Sequence, residues 1–216
     1  MVTIADMKMR RGRPERFIVA LESGEELVMS PEIVLEFGVA PGKQFDQNSF
    51  LKLLEADSRR RAQDQAMRYL ALRPHSRQEL EIKLRRKGYR PDTVNPVLTH
   101  LKKIDLLNDR QFARLFIQNE IRLHPSGKRL LQQKLFQKGI KKEISDELLR
   151  ELLPEDLEME LAEQVAQKYC RINRRLPADR LKEKLVRHLQ SKGFGWEEIR
   201  AVMSRPEDNF PEDVPS

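Results

Sequence analysis

Apolar positions along the chain pass from a period of two to helical spacing. In the first stretch Phe17, Val19 and Leu21 alternate with Ile18, Ala20 and Glu22, Ser23-Gly24-Glu25 offers a turn, and Leu27-Val28-Met29 follows. Period-two spacing around a glycine turn predicts a β-hairpin. Ser30 and Pro31 then form a helix start, with serine as cap and proline at the first helical position. Ile33, Val34 and Phe37 give that short helix its apolar face, and Gly38 ends it. Pro41-Gly42 is a turn, and a charged stretch from Asp57 through Arg59, Arg60 and Arg61 leads into the rest of the chain.

Beyond residue 64 the spacing becomes helical and the sequence repeats. The segments Ser76 to Arg90, Ser126 to Lys141 and Leu181 to Gly195 each carry an amphipathic helix that ends in Lys-Gly and an apolar residue. The pairs Lys87-Gly88, Lys138-Gly139 and Lys192-Gly193 lie about 51 and 54 positions apart. Leu80 and Leu84, Leu131 and Leu135, and Leu185 and Leu189 stand seven and three positions before the lysine, an i, i+4 pairing that puts both on one face. Each glycine suits the position just past a helix end, where a left-handed backbone is cheap without a Cβ. Helices before and after each segment complete a three-helix unit of about fifty residues.

These patterns predict a mainly α protein: tandem three-helix repeats in an elongated array behind a small amino-terminal β-hairpin segment. The expected boundaries are 1–57 for the amino-terminal extension, 58–107, 108–153 and 154–204 for the repeats, and 205–216 for an acidic, proline-rich, disordered tail.

Composition narrows the chemistry. The 216 residues are 35% charged, with 41 lysines and arginines against 34 acids, a formal net charge of +7. That excess favours a polyanion or an acidic protein surface as partner. One cysteine, Cys170, excludes an intramolecular disulfide. No apolar stretch has the length of a signal peptide or a membrane span, so a cytoplasmic protein is expected.

Catalysis finds little support. His75, His100, His124 and His188 are scattered, with no second histidine or cysteine at metal-ligand spacing, which argues against a zinc site. Gly38-Val-Ala-Pro-Gly-Lys-Gln44 departs from a phosphate loop in its glycine spacing and in the glutamine where a hydroxyl is needed. The acids from Glu151 to Glu163 fit the start of a helix better than a metal nuclease, and Cys170 reads as a packing residue. No catalytic residue, metal or cofactor is therefore expected.

Basic residues recur at equivalent places in the repeats. The candidates for contact with a polyanion or protein surface are Arg85, Arg86 and Lys87 in the first, Lys134, Lys138, Lys141 and Lys142 in the second, and Arg187 and Lys192 in the third. Tyr89 and Phe194 follow the glycines and are expected in the core.

The three-unit array, Ser76-Arg-Gln-Glu-Leu-Glu-Ile-Lys-Leu-Arg-Arg-Lys-Gly-Tyr89, Leu107-Asn-Asp-Arg-Gln-Phe-Ala-Arg114 and Gly127 to Ile140 resemble the RecX family of bacterial recombinase regulators. The resemblance covers roughly residues 60 to 203, and the amino-terminal extension is similar to that of a subset of the family. Asp109 would cap the helix whose buried face begins at Phe112 and Ala113. The resemblance implies a small cytoplasmic, non-enzymatic monomer that binds the RecA filament on single-stranded DNA. It would thereby restrain filament growth, ATP hydrolysis, strand exchange and cleavage of the SOS repressor. The third unit departs from the pattern, with Gly-Phe-Gly-Trp at 193 to 196 and a longer lead from Pro177. The alternative is a general DNA-binding repeat protein, for single or double strands, without direct RecA contact.

Overall fold

The computed structural model describes residues 1–12 and 15–204. The acidic tail expected at 205–216 lies outside the described residues. The chain divides into two compact units, Met1–Leu107 and a second from Asn108 onward.

The first unit opens on an antiparallel sheet of β1 (Val2–Arg10), β2 (Arg16–Leu21), β3 (Glu26–Met29) and β4 (Gln44–Phe45), in the order β3-β2-β1-β4. The hairpin expected from residue 17 onward is β2 and β3, with Phe17 opposite Met29 and Val19 opposite Leu27. Strand β1, which lacks clean alternation, pairs along β2 through an irregularity between Ile4 and Asp6. Helix α1 (Pro31–Glu36) starts behind Ser30 and stops at Phe37, where Gly38 takes φ +58°. Ile4, Val19, Leu21, Met29, Ile33, Val34, Phe45 and Leu53 close this core.

Helix α2 (Gln47–Leu72) then serves two cores. Leu53 packs under the sheet, whereas Ala62 and Ala66 pack with Leu80 and Leu84 of α3 (Arg77–Arg86) and Val94, Leu98 and Leu101 of α4 (Pro91–Lys103). Its midpoint is fastened by buried Asp57, whose carboxylate accepts the Ser30 backbone N–H at 2.7 Å and pairs with Arg61 at 2.8 Å. The amino-terminal sheet and the first helical repeat are thus joined by one continuous helix.

The second unit contains α5 (Asp109–Leu123), α6 (Lys128–Gln137), α7 (Lys142–Leu152), α8 (Glu155–Ile172), α9 (Ala178–Ser191) and α10 (Trp196–Met203). All six share a single core, in which Phe112, Ile117, Leu131, Leu135 and Leu148 join Leu161, Leu185, Leu189, Phe194 and Ile199. The cap of α5 is Asn108 and not Asp109. Its side-chain oxygen accepts the N–H groups of Arg110 and Gln111 at 3.1 and 3.0 Å, and Asp109 falls inside the first turn, where a carboxylate still complements the helix dipole.

The three Lys-Gly pairs end α3, α6 and α9 in the expected way. Gly88, Gly139 and Gly193 have φ of +89°, +74° and +83°. The next residue folds back, so that Tyr89, Ile140 and Phe194 donate their N–H to the carbonyls of Leu84, Leu135 and Leu189. Phe194 is fully buried and Tyr89 half-buried, packed on the first helical core.

Candidate functional site

The third Lys-Gly pair has a second task, inside the second unit. The amino terminus of α6 has N–H groups with no partner in its own helix, and the third repeat supplies acceptors. Gly127 N–H donates to the Lys192 carbonyl at 2.9 Å, Arg129 N–H to the Gly193 carbonyl at 3.3 Å, and Lys128 N–H to the Glu158 carboxylate at 2.7 Å. Glu158 is buried and also pairs with the Lys128 ammonium at 3.2 Å. A Cβ on Gly127 would overlap the Gly193 carbonyl, and one on Gly193 would overlap the Leu130 backbone. The second and third repeats are therefore interlocked.

That framework sets the surroundings of each candidate contact residue. In the first unit Arg85, Arg86 and Lys87 form the exposed carboxyl end of α3, with Arg85 loosely paired to Glu81 at 3.8 Å. In the second unit Lys134 is half-buried and bonded to Glu120, while Lys138 lies with its ammonium 5.4 Å from the Phe116 ring centre. Lys141 caps α7, Lys142 is its first residue, and both are exposed. Arg187 is exposed and 3.7 Å from Glu183, and half-buried Lys192 caps the carboxyl end of α9.

Physical chemistry separates these nine. Lys87, Lys138 and Lys192 occupy the same carboxyl-terminal cap, where a cation complements the helix dipole, so their recurrence has a structural cause. Lys134 is held by an ion pair. Lys141 and Lys142 have no such cause, because they place two cations at the positive end of α7, where each costs about 0.3–1 kcal/mol. Arg86, Lys87, Lys141 and Lys142 form no ion pair among the described residues.

The acidic stretch is dispersed. Glu151 pairs with Arg114 and Glu147 with Arg110 through two hydrogen bonds each, at 2.6–2.8 Å, which hold both carboxyls below the ordinary carboxylate range. Glu158 is committed to the start of α6. Among the described residues no group of three or more histidines, cysteines or carboxylates could hold a metal. Burial pushes the Cys170 thiol upward, away from a reactive thiolate. No described helix is long and apolar enough to cross a membrane.

A cavity of about 560 Å³ that no sequence pattern announces lies between the second and third repeats. Leu123 from the end of α5, Val165, Tyr169 and Ile172 from α8, and His188 and Lys192 from the end of α9 line it. Tyr169 and His188 stack at 4.5 Å between ring centres. Its parts come from stretches far apart in sequence, with no shared spacing.

Burial holds the imidazoles of His75 and His188 below the usual histidine value of 6.5, and Lys192 adds to the effect at His188. The unfolded chain then takes up these protons at a higher pH than the folded one. Stability is accordingly complete above about pH 6.5 and declines as pH falls toward the depressed folded-state values. Melting temperature should drop between about pH 7.5 and pH 5.5, with a shallower drop in the His75→Gln, His188→Gln double variant. Equal slopes in both proteins would refute this assignment.

Together these features define a class: a tandem three-helix repeat protein with cationic helix ends and a β-sheet unit in front. The chain is a member of the RecX family. Residues 62–101, 108–149 and 156–203 match the family's first, second and third three-helix domains in order. A protein named regulatory protein RecX from Chlorobium limicola is 36% identical over 155 residues, 72% of this chain and 95% of the relative. Another of that name, from Prosthecochloris aestuarii, is 45% identical over 80 residues. That match takes in 37% of this chain and about half (53%) of the relative's length. A crystal structure of regulatory protein RecX superposes with a TM-score of 0.72 at 22% identity, covering 94% of this chain and all of the other, which speaks for a shared fold.

Proposed function

We propose that this protein is a RecX-type regulator that binds the RecA filament on single-stranded DNA, without catalysis, and restrains its growth, ATP hydrolysis and strand exchange. Family membership across all three helical domains supports the regulatory role, as does the name carried by its relatives. The observation that carries the binding contacts is the exposed cations at helix ends without an ion pair among the described residues, Arg86 and Lys87 on the first unit and Lys141 and Lys142 on the second. Lys141 and Lys142 oppose the α7 dipole, a cost that a docked acidic or phosphate-bearing surface would reverse. The protein would act by differential affinity, shifting assembly by the difference between its binding to one filament state and another.

The test is the single-stranded-DNA-dependent ATPase of RecA filaments, measured across concentrations of this protein with and without a large excess of single-stranded DNA. Inhibition at substoichiometric amounts that survives the excess DNA is expected. Relief of inhibition by added DNA would replace the reading with competition for bare strands, and absence of any effect would overturn it.

A further inference from the structure

The first helix of every repeat ends on a large aliphatic side chain that the core does not take up. Leu72 ends α2, Leu123 ends α5 and Ile172 ends α8, and they are 83%, 60% and 69% exposed. One exposed leucine is ordinary. Two that converge are not: Leu123 and Ile172 line the same cavity of the second unit, where Pro125 and Val165 add to the apolar lining. Cations border it. Lys168 lines the cavity from α8 and Lys192 from the end of α9, and exposed Arg171 stands one turn beyond Lys168. None of the three is in an ion pair among the described residues, and no described carboxylate lines the cavity.

The aromatic side of the cavity is already engaged. Tyr169 stacks on His188 at 4.5 Å and packs against the core. The same two positions hold Tyr69 in the first repeat, with the Lys83 ammonium 4.7 Å from its ring centre, and Glu120 bonded to Lys134 in the second. This contact therefore belongs to the framework of each repeat and leaves no open ring on which a base could stack. A nucleic-acid strand would use the cations and leave the aliphatic side chains in water, whereas a peptide with an apolar centre and acidic flanks uses both. We propose that the cavity is a docking site for an acidic segment of a partner protein. Its large apolar side chains enter against Leu123 and Ile172, and its carboxylates pair with Lys168, Arg171 and Lys192. The volume of about 560 Å³ falls within the range of sites that enclose a small ligand or a few side chains. None of Arg86, Lys87, Lys141 and Lys142 takes part, so this site stands whether or not the RecA filament is the protein's target.

The test is methyl NMR on the full chain, with a synthetic peptide Glu-Asp-Glu-Phe-Leu-Glu-Asp-Glu as probe. The Leu123 and Ile172 methyl signals should shift saturably, with a Kd below about 1 mM, while those of core residues Leu131 and Leu148 stay in place. A peptide with Ser-Gly in place of Phe-Leu keeps the charge and should bind at least about tenfold more weakly, because the apolar burial is lost. Leu123→Ser with Ile172→Ser should weaken the first peptide by a similar factor and leave the melting temperature near that of the parent, since both side chains are exposed. Lys168→Gln with Arg171→Gln should weaken it severalfold, as should salt at about 0.5 M, where charges are screened beyond roughly 4 Å. Absence of saturable shifts, or equal affinity for the two peptides, would overturn the proposal. So would a short oligothymidylate that displaces the peptide and shifts the same two residues, which would make a nucleic-acid strand the occupant. Leu123 and Ile172 signals that depend on protein concentration without peptide would overturn it as well, in favour of a second copy.

Discussion

Replacing Gly127 with alanine is expected to destabilise the second unit by on the order of 3–5 kcal/mol, summing an overpacking cost and two lost backbone hydrogen bonds. The added methyl has nowhere to go, because the Gly193 carbonyl occupies its position and is itself held by Arg129 N–H and flanked by the Leu130 backbone. Relief would require the third repeat to move off the start of α6, which breaks the bond from Gly127 N–H to the Lys192 carbonyl and disturbs Glu158. Gly88→Ala is the control. It is the first-repeat counterpart of Gly193, just past the end of α3, with φ +89° and no atom near its would-be Cβ, so only backbone strain of about 1–2 kcal/mol applies. Thermal melts of the two variants should therefore differ widely. Similar losses would show that the interlock between repeats contributes nothing beyond ordinary helix termination.

The contrast between these two glycines also marks what a sequence of this kind reveals. The Lys-Gly endings, their leucine pairs and the folded-back Phe194 were legible because each is set by local geometry, within one helix and its cap. The hairpin of β2 and β3 was legible for the same reason, from alternation and a glycine turn. Strand β1 was hidden, since Ala5, Asp6 and Lys8 break its alternation where the pairing shifts past Ile4. The unity of α2 was also hidden. Asp57 looks like part of a charged connector until Ser30, distant in sequence, arrives to bond it. Acidic Glu158 likewise reads as dipole decoration, and only packing of the third repeat on the second makes it the cap of α6. For the candidate surface, the residue types were visible but not their partners. Lys134 with Glu120 and Lys192 in its cavity are facts of tertiary contact.

Reversing charge at Arg86, Lys87, Lys141 and Lys142 together should weaken inhibition of the RecA ATPase by about 100-fold. Exposed ion pairs contribute about 0.2–1 kcal/mol each, and reversal both removes an attraction and adds a repulsion, so four sites give roughly 2–4 kcal/mol. Lys134 and Lys138 are left untouched on purpose. Glutamate at 134 would face half-buried Glu120, and at 138 it would lose the contact with the Phe116 ring, so either change would confound binding with folding. The chosen set does the opposite. Acids at 141 and 142 complement the amino terminus of α7 and gain about 0.3–1 kcal/mol each, which offsets similar costs of Arg86→Glu and Lys87→Glu at the end of α3. The variant should consequently melt near the parent temperature while its inhibition curve moves to higher concentration. If bare single strands are the target instead, direct DNA binding should lose salt dependence by roughly 0.7 in slope for each phosphate contact removed. A folded variant with undiminished inhibition would take the contact surface away from these helix ends altogether.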